Sequence, residues 1–338
     1  SSAPSILKIT GEVFMGKESI KEVTSSTTVY VPTGGHLPKG SNAVVMIENT
    51  EILGEEVVIY KSVSNNENVL LKGTDICKGQ KIISKNTLIT PLVIGALKAI
   101  GINEISVYEK LTSLVISTGD EIVKDKEDLS IGEIRDINTY TISNHLKDKN
   151  VIVTESLIIN DDFDEYKKAV LKGFNNSDLI FTSGGSSVGE KDYTLDILKS
   201  IGAEILVHGI SIKPGKPSII AKYNNKLFFG LPGQPTSAFF VLNTFINEII
   251  NTIYHLENTL PIPYFKAKLD TNVHSATGRR MYQLVNIKKM NNEFIATPLF
   301  AKSGTINSLK LASGYIIVDE FSEGFSKDSI VKVYRLGD

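Results

Sequence analysis

Acidic residues follow two apolar segments of this 338-residue chain, and a glycine-rich turn accompanies one of them. The segment STGDEIV (117–123) carries Asp120 and Glu121, and SGGSSVGEKDYT (183–194) carries Asp192. Carboxylate oxygens bind hard cations such as Mg²⁺, whereas the backbone N–H groups of glycine-rich turns bind anions. We therefore predict a metal-bridged phosphate or oxyanion site, in which Asp120, Glu121 and Asp192 hold a hard cation such as Mg²⁺.

Two further loops add groups that suit an anion. IKPGKPS (212–218) presents two lysines around a Pro-Gly turn, and GLPGQPTSA (230–238) leads into a helix N-terminus, where the helix dipole favours negative charge. Residues of these loops and of the glycine-rich turn are the predicted binding residues: Ser183, Gly184, Gly185, Ser186, Lys213, Lys216, Pro232 and Pro235.

Each motif alone also has a purely structural interpretation. A Gly-Gly pair is most often a turn, STGDE fits a helix N-cap with acids in the first turn, and KPGKP fits a rigid surface connection. A binding site is favoured because all four motifs lie at strand ends of one α/β unit, where ligands of parallel sheets bind.

The elements that must position these residues alternate between strand and helix from residue 111 to 256, which predicts a mostly parallel sheet covered by helices. Short strands and turns dominate on either side. We predict an α/β fold with a β-rich domain at 1–85, a helical or extended connector at 86–110, an α/β catalytic domain at 111–256, and a small β-barrel domain at 257–338.

Composition excludes several classes of function. The chain has 36 Lys plus Arg and 38 Asp plus Glu, so no nucleic-acid or membrane partner is expected. The only cysteine is Cys77, which excludes an internal disulfide and a multi-thiolate metal site, and the five histidines form no zinc pattern. No apolar run reaches about 18 residues. These features predict a cytoplasmic protein.

The four motifs, in this order and spacing, closely resemble the MoeA family of molybdopterin molybdotransferases, which includes the E domain of gephyrin. PTGGHLPKGSNAVVMIENTE (32–51) and GTDICKGQ (73–80) extend the resemblance over essentially the whole chain. The family's usual N-terminal helical segment, with its Asp-Gly motif, is not among residues 1–338. The resemblance implies a MogA-like α/β domain between the two β-rich domains.

The resemblance also implies a reaction: molybdate is inserted into adenylylated molybdopterin with release of AMP, in a Mg²⁺-dependent step of molybdenum cofactor biosynthesis. It implies a homodimer in which the partner chain completes the site, and a molybdopterin adenylyltransferase is a candidate protein partner. The implied catalytic residues are Asp120, Glu121, Asp161 and Asp192, of which Glu121 and Asp192 are the implied Mg²⁺ ligands. Further implied binding residues are Thr33 and Asp75 in the β-rich part, and Arg279, Arg280 and Ser303 in the terminal domain.

Two alternatives remain open. The first is a molybdopterin adenylyltransferase, although the minimal form of that enzyme is the α/β domain alone and this chain carries β domains on both sides. The second is a non-catalytic scaffold or binding protein of the same fold, although the acids and lysines are present here. Molybdate and tungstate are both compatible with the sequence.

Overall fold

A computed structural model describes residues 4–184, 193–256, 263–300 and 304–336. The chain divides into two compact units, residues 1–84 and 85–338. Within the part of the chain that the structure describes, no helix combines the length and apolarity that a membrane crossing requires.

The first unit contains one four-stranded sheet in the order β2-β1-β4-β3. A two-residue turn with Gly54 at φ +62° joins the antiparallel strands β3 and β4, and β1 pairs parallel with β2. Its small core consists of valines, and the β-rich character predicted for this region is confirmed. The strands are β1 (Ser5–Glu12), β2 (Thr27–Tyr30), β3 (Thr50–Leu53) and β4 (Glu56–Ile59).

The second unit begins with a helix whose start was predicted from the sequence. The Thr90 side chain accepts a hydrogen bond from the Val93 N–H, and Pro91 is the first helical residue, where its missing N–H costs nothing. The elements that follow alternate as predicted: α1 (Pro91–Ala99), β5 (Thr112–Thr118), β6 (Ile122–Val123), β7 (Ile134–Arg135), α2 (Asn138–Asp148), β8 (Ile152–Ile159), α3 (Phe163–Asn176), β9 (Leu179–Ser183), α4 (Tyr193–Ser200), β10 (Glu204–His208), β11 (Ile212–Lys213), β12 (Ile219–Tyr223), β13 (Lys226–Leu231), α5 (Pro235–Val241) and α6 (Asn247–Ile253).

The central sheet has the strand order β10-β12-β13-β9-β5-β8. The neighbours β13, β9, β5 and β8 run parallel, which confirms the mostly parallel sheet. Strand β12 is antiparallel to both of its neighbours because a tight turn at Asn224 and Asn225, both with positive φ, connects it directly to β13. Every residue of β9 is buried, since one core lies on each face of the sheet.

The long helix predicted from Pro235 to residue 256 is interrupted. Leu242–Ile246 form a π-helical segment between α5 and α6, and α6 ends at Ile253. The predicted start at Pro235 is confirmed. A π-helical segment leaves no mark on hydrophobic periodicity over so few residues, so the sequence could not show it.

The terminal part of the chain forms a small barrel. Its main sheet has the order β11-β16-β17-β14-β20, β18 pairs with β16, and backbone hydrogen bonds between Tyr315 and Tyr334 close the ring from β18 to the end of β20. The elements are β14 (Phe265–Leu269), β15 (Val273–His274), β16 (Arg280–Met290), β17 (Glu293–Pro298), α7 (Asn307–Leu311), β18 (Gly314–Val318), β19 (Gly324–Phe325) and β20 (Ile330–Val333).

Candidate active-site cleft

A cleft of about 1910 Å³ lies in the second unit where the loops leave the carboxyl ends of β5, β9 and β13. Residues of the terminal barrel line it as well. Ligands of parallel α/β sheets bind at this edge, so the cleft has the position predicted for the site. We call it the main cleft.

Three carboxyl groups meet on one side of the main cleft. Asp120 and Glu121 follow β5, Asp161 follows β8, and the Asp161 N–H donates to Asp120 Oδ1 over 3.0 Å. Partial burial raises the pKa of Asp161, and the neighbouring charges of Asp120 and Glu121 raise it further. The predicted acids are therefore close enough to repel one another, and a bound cation would reduce this repulsion.

Gly119 lets the Glu121 side chain fold back beside the backbone. A Cβ at position 119 would lie 2.7 Å from Glu121 Oε2, which is closer than atoms in contact approach. Asp192 lies outside the described residues, so the predicted Mg²⁺ pair of Glu121 and Asp192 stays a prediction. Among the residues that the structure describes, no group of three His, Cys, Asp or Glu has a metal-binding arrangement.

The loops at the floor of the main cleft pack backbone against backbone. Gly184 has φ +98°, and a Cβ there would lie 2.3 Å from the Thr118 carbonyl oxygen at the end of β5. A Cβ on Gly233, in the loop after β13, would lie 3.6 Å from Gly184 Cα. Gly184 was predicted to bring the backbone close to a ligand, and it also allows the ends of β5, β9 and β13 to pack together. Gly185 and Ser186 lie outside the described residues.

Asn138, the first residue of α2, joins two of these loops. Its Nδ2 donates to Ser183 Oγ over 2.6 Å and to the Gly233 carbonyl over 2.7 Å. Asp136, two residues earlier, accepts through Oδ1 from the Thr139 N–H. Asn138 and Asp136 line the main cleft. Neither was predicted from the sequence, because the pattern DINTY is also an ordinary helix start.

The lysine loop is held by a buried glycine. Gly215 has φ +119°, and a Cβ there would lie 2.7 Å from Val241 Cγ2 and 2.8 Å from Ile212 Cδ1, so the turn sits directly on the core. Lys213 and Lys216 are exposed and line the main cleft. The loop therefore presents two cationic side chains from a backbone that has little freedom to move.

The terminal barrel supplies one of its two adjacent arginines to the main cleft. Strand β11, the start of the lysine loop, pairs in parallel with β16, matching Ile212 with Arg280. Arg280 is held by Glu320, with 3.0 Å between Arg280 Nε and Glu320 Oε2, whereas Arg279 lines the main cleft. His274 and Phe300 also line it and were not anticipated from the sequence.

Three family models match the chain in succession. The MoeA N-terminal region (domain I and II) matches residues 2–101, the probable molybdopterin binding domain matches 114–252, and the MoeA C-terminal region (domain IV) matches 266–336. A putative molybdopterin biosynthesis protein of Methanocaldococcus jannaschii is 33% identical over 324 residues, covering 93% of this chain and 77% of that protein. The chain belongs to the MoeA family.

Further relatives agree with this membership. The molybdopterin molybdenumtransferase of Haemophilus influenzae is 32% identical over 278 residues, which cover 82% of this MoeA-family chain and 69% of that protein. A crystal structure of the molybdopterin biosynthesis MoeA protein from Pyrococcus horikosii superposes with a TM-score of 0.74 at 30% identity, covering 98% of this chain and 82% of that one. The family resemblance and the fold class predicted from the sequence are confirmed.

The structure of this MoeA-family chain brings most predicted residues of the α/β domain to one place. The predicted residues that line the main cleft are Asp120, Glu121, Asp161, Ser183, Gly184, Lys213, Lys216, Pro232, Pro235 and Arg279.

The remaining predicted residues are not tested in this way. Thr33 and Asp75 lie on exposed turns of the first unit, so their role opposite a partner's cleft stays a prediction. Ser303, like Asp192, lies outside the described residues. Arg280 is paired with Glu320 and is not among the residues that line the main cleft, and its role stays a prediction.

Proposed function

We propose that this chain is a molybdopterin molybdenumtransferase that inserts molybdate into adenylylated molybdopterin and releases AMP. The names of the Haemophilus influenzae relative and of a Staphylococcus epidermidis relative, 29% identical over 320 residues, support the transferase assignment. One structural observation carries the proposal: carboxyl groups and cationic side chains line the same cleft at the carboxyl edge of the sheet, among them Asp120, Glu121 and Asp161, and Lys213, Lys216 and Arg279.

The cationic side chains of the main cleft suit the anionic parts of the substrates. Lys213, Lys216 and Arg279 would neutralise phosphate and molybdate oxygens, because charge-assisted hydrogen bonds to such oxygens are strong. Arginine binds an oxyanion through two parallel N–H groups and lysine binds as a point charge, so the set can hold two anions in different ways. Charge that develops as the phosphoanhydride breaks would be stabilised by groups already in place.

The acidic side fits a divalent cation in its chemistry. Asp120, Glu121 and Asp161 offer the oxygen ligands that Mg²⁺ prefers, and the raised pKa of Asp161 reflects a crowding of negative charge. Glu121 and Asp192 would hold the ion, with Asp120 and Asp161 beside them. A bound Mg²⁺ supplies a Lewis acid that lowers the charge on substrate oxygens.

We also propose that the chain works as a homodimer. The support is the family resemblance at Thr33 and Asp75, which lie in the compact unit that does not bear the main cleft. The two residues would complete the site of the partner chain. Sedimentation at tens of micromolar, with the full-length chain, is the measurement that checks the assembly.

The test of the reaction is AMP release from adenylylated molybdopterin by the full-length protein with molybdate and Mg²⁺. AMP and a molybdenum-bearing product should form together, and Glu121→Gln should lose most of the activity while the control Asp164→Asn, an exposed acid of α3, keeps it. AMP formation that ignores molybdate would contradict the proposal. Synthesis of adenylylated molybdopterin from ATP would favour the adenylyltransferase instead.

A further inference from the structure

Three side-chain oxygens at the floor of the main cleft are buried and make no hydrogen bond within the described part of the chain: Thr118 Oγ1, Asp136 Oδ2 and Asn138 Oδ1. All three residues line the main cleft. Buried polar atoms in folded proteins are nearly always paired, so unpaired ones in cleft-lining residues mark places where a ligand or an ordered water supplies the partner. None of the three belongs to the residues already assigned to the acids or the lysine loop.

The chemistry of these atoms is constrained by their other contacts. Asn138 Nδ2 faces the Gly233 carbonyl, which can only accept, so the free atom of this amide is the oxygen. Asp136 Oδ1 accepts from the Thr139 N–H and from Ser117 Oγ, so the free carboxylate oxygen is Oδ2. Two acceptors, two residues apart at the start of α2, are therefore left without donors in residues that line the main cleft.

A pair of hydrogen-bond acceptors can bind only those parts of the substrate that donate hydrogen bonds. Phosphate and molybdate oxygens are acceptors themselves, so they belong with the lysines. A cation is less well matched, because only one of the three unpaired oxygens, Asp136 Oδ2, belongs to a charged group. A fused 2-amino-4-oxopyrimidine ring, as in a pterin, carries two adjacent N–H donors on one edge and matches two acceptors.

We propose that Asp136 and Asn138 form the subsite that recognises the amino-pyrimidinone edge of the pterin, each accepting one N–H. This inference rests on the proposed function and deepens it by placing the pterin end of the substrate. The thiol and phosphate end then extends towards the lysine loop. Asn138 also joins the loops after β9 and β13, so the same residue orients the pterin and fixes the cleft floor.

The test compares two small fluorescent probes, pterin-6-carboxylate and lumazine-6-carboxylate, which differ in having an amino group or an oxygen at position 2. The parent protein should bind the amino compound at least about tenfold more tightly, since a site built for a donor rejects an acceptor in its place. In Asp136→Asn the free oxygen can become an NH₂, so this preference should disappear. Asp125→Asn removes the same charge nearby, from a residue that contacts Tyr140 and does not line the main cleft, and should keep the preference.

The outcomes separate a recognition role from a structural one. Equal weakening of both probes in Asp136→Asn, or no change in either, overturns the proposal, because a helix cap alone would not tell the two rings apart. Mg²⁺ binding that depends on Asp136, with no preference between the probes, overturns it in favour of a cation site. An Asp136-dependent preference in a protein that releases no AMP keeps the subsite and rejects only the proposed reaction.

Discussion

Replacing Gly184 by alanine should destabilise the second unit and displace the floor of the main cleft. Gly184 has φ +98°, a backbone conformation that residues with a Cβ rarely adopt. The new Cβ would also lie 2.3 Å from the Thr118 carbonyl oxygen and 2.8 Å from Thr118 Oγ1. Thr118 is 4% exposed and ends the buried strand β5, so it has little room to retreat.

The size of the effect follows from two costs. Holding a non-glycine residue at such a φ costs about 1–3 kcal/mol. Forcing a methyl group into a well-packed site costs about 1–3 kcal/mol more. A shift of the loop would relieve part of both costs, so they do not add in full. We expect the free energy of unfolding to fall by about 3 kcal/mol, which corresponds to a fall of about 6–12 °C in Tm for a unit of this size.

Gly233 offers a matched control in the neighbouring loop. Among the described residues, the nearest atom to a Cβ there would be Gly184 Cα at 3.6 Å, an ordinary contact, and the φ of Gly233 is not in the left-handed region. Gly233→Ala should therefore change the free energy of unfolding by no more than about 0.5 kcal/mol. Chemical denaturation of both variants measures the difference. If Gly184→Ala is as stable as Gly233→Ala, the close packing of these loops is not a constraint and the argument fails.

Two further predictions concern charge. Lys216→Ala should weaken the binding of molybdate or of the adenylylated substrate by at least about 1.4 kcal/mol, which is a tenfold loss of affinity in isothermal titration. The control Lys199→Ala, at an exposed lysine of α4, should leave the affinity unchanged. Equal affinities for the two variants would mean that the lysine loop only connects its neighbours. Asp161→Asn should raise the thermal stability at neutral pH, because a raised pKa means that the folded parent loses stability as pH rises through that pKa. The gap between variant and parent should shrink as pH falls through the pKa of Asp161, and a gap that does not change with pH would show that repulsion from Asp120 and Glu121 is not its origin.

Much of the fold could be predicted because local and global signals agree. Thr90 and Pro91 mark a helix start, Asp162 caps α3 by accepting from the Glu165 N–H, and Pro235 begins α5. The strand-helix alternation then fixes a mostly parallel sheet, and the sheet brings strand ends to one edge. For this reason the sequence alone assigns Asp120, which follows β5, and the lysine loop nearly 100 positions later to one cleft.

Other features are invisible to local patterns. The pairing of β11 with β16 involves only two residues on each strand, and neither pair carries a distinctive sequence signal. Without it, the proximity of Arg279 to the lysine loop rests on family resemblance alone, and Arg279 cannot be told from Arg280. The structure separates them because Glu320 holds Arg280.

The start of α2 shows most clearly where pattern-based reasoning ends. Asp136 lies just before α2 and accepts a hydrogen bond from the Thr139 N–H, a contact that is a sufficient structural reason for an acid at this position. Only the structure shows that the other carboxylate oxygen, Asp136 Oδ2, is buried and has no hydrogen-bond partner among the described residues. Asn138 Oδ1 is in the same situation, and both residues line the main cleft. One oxygen of Asp136 satisfies the fold and the other is left for a ligand. A residue that serves both purposes looks structural in sequence, so its function is found by asking which of its atoms the fold leaves without a partner.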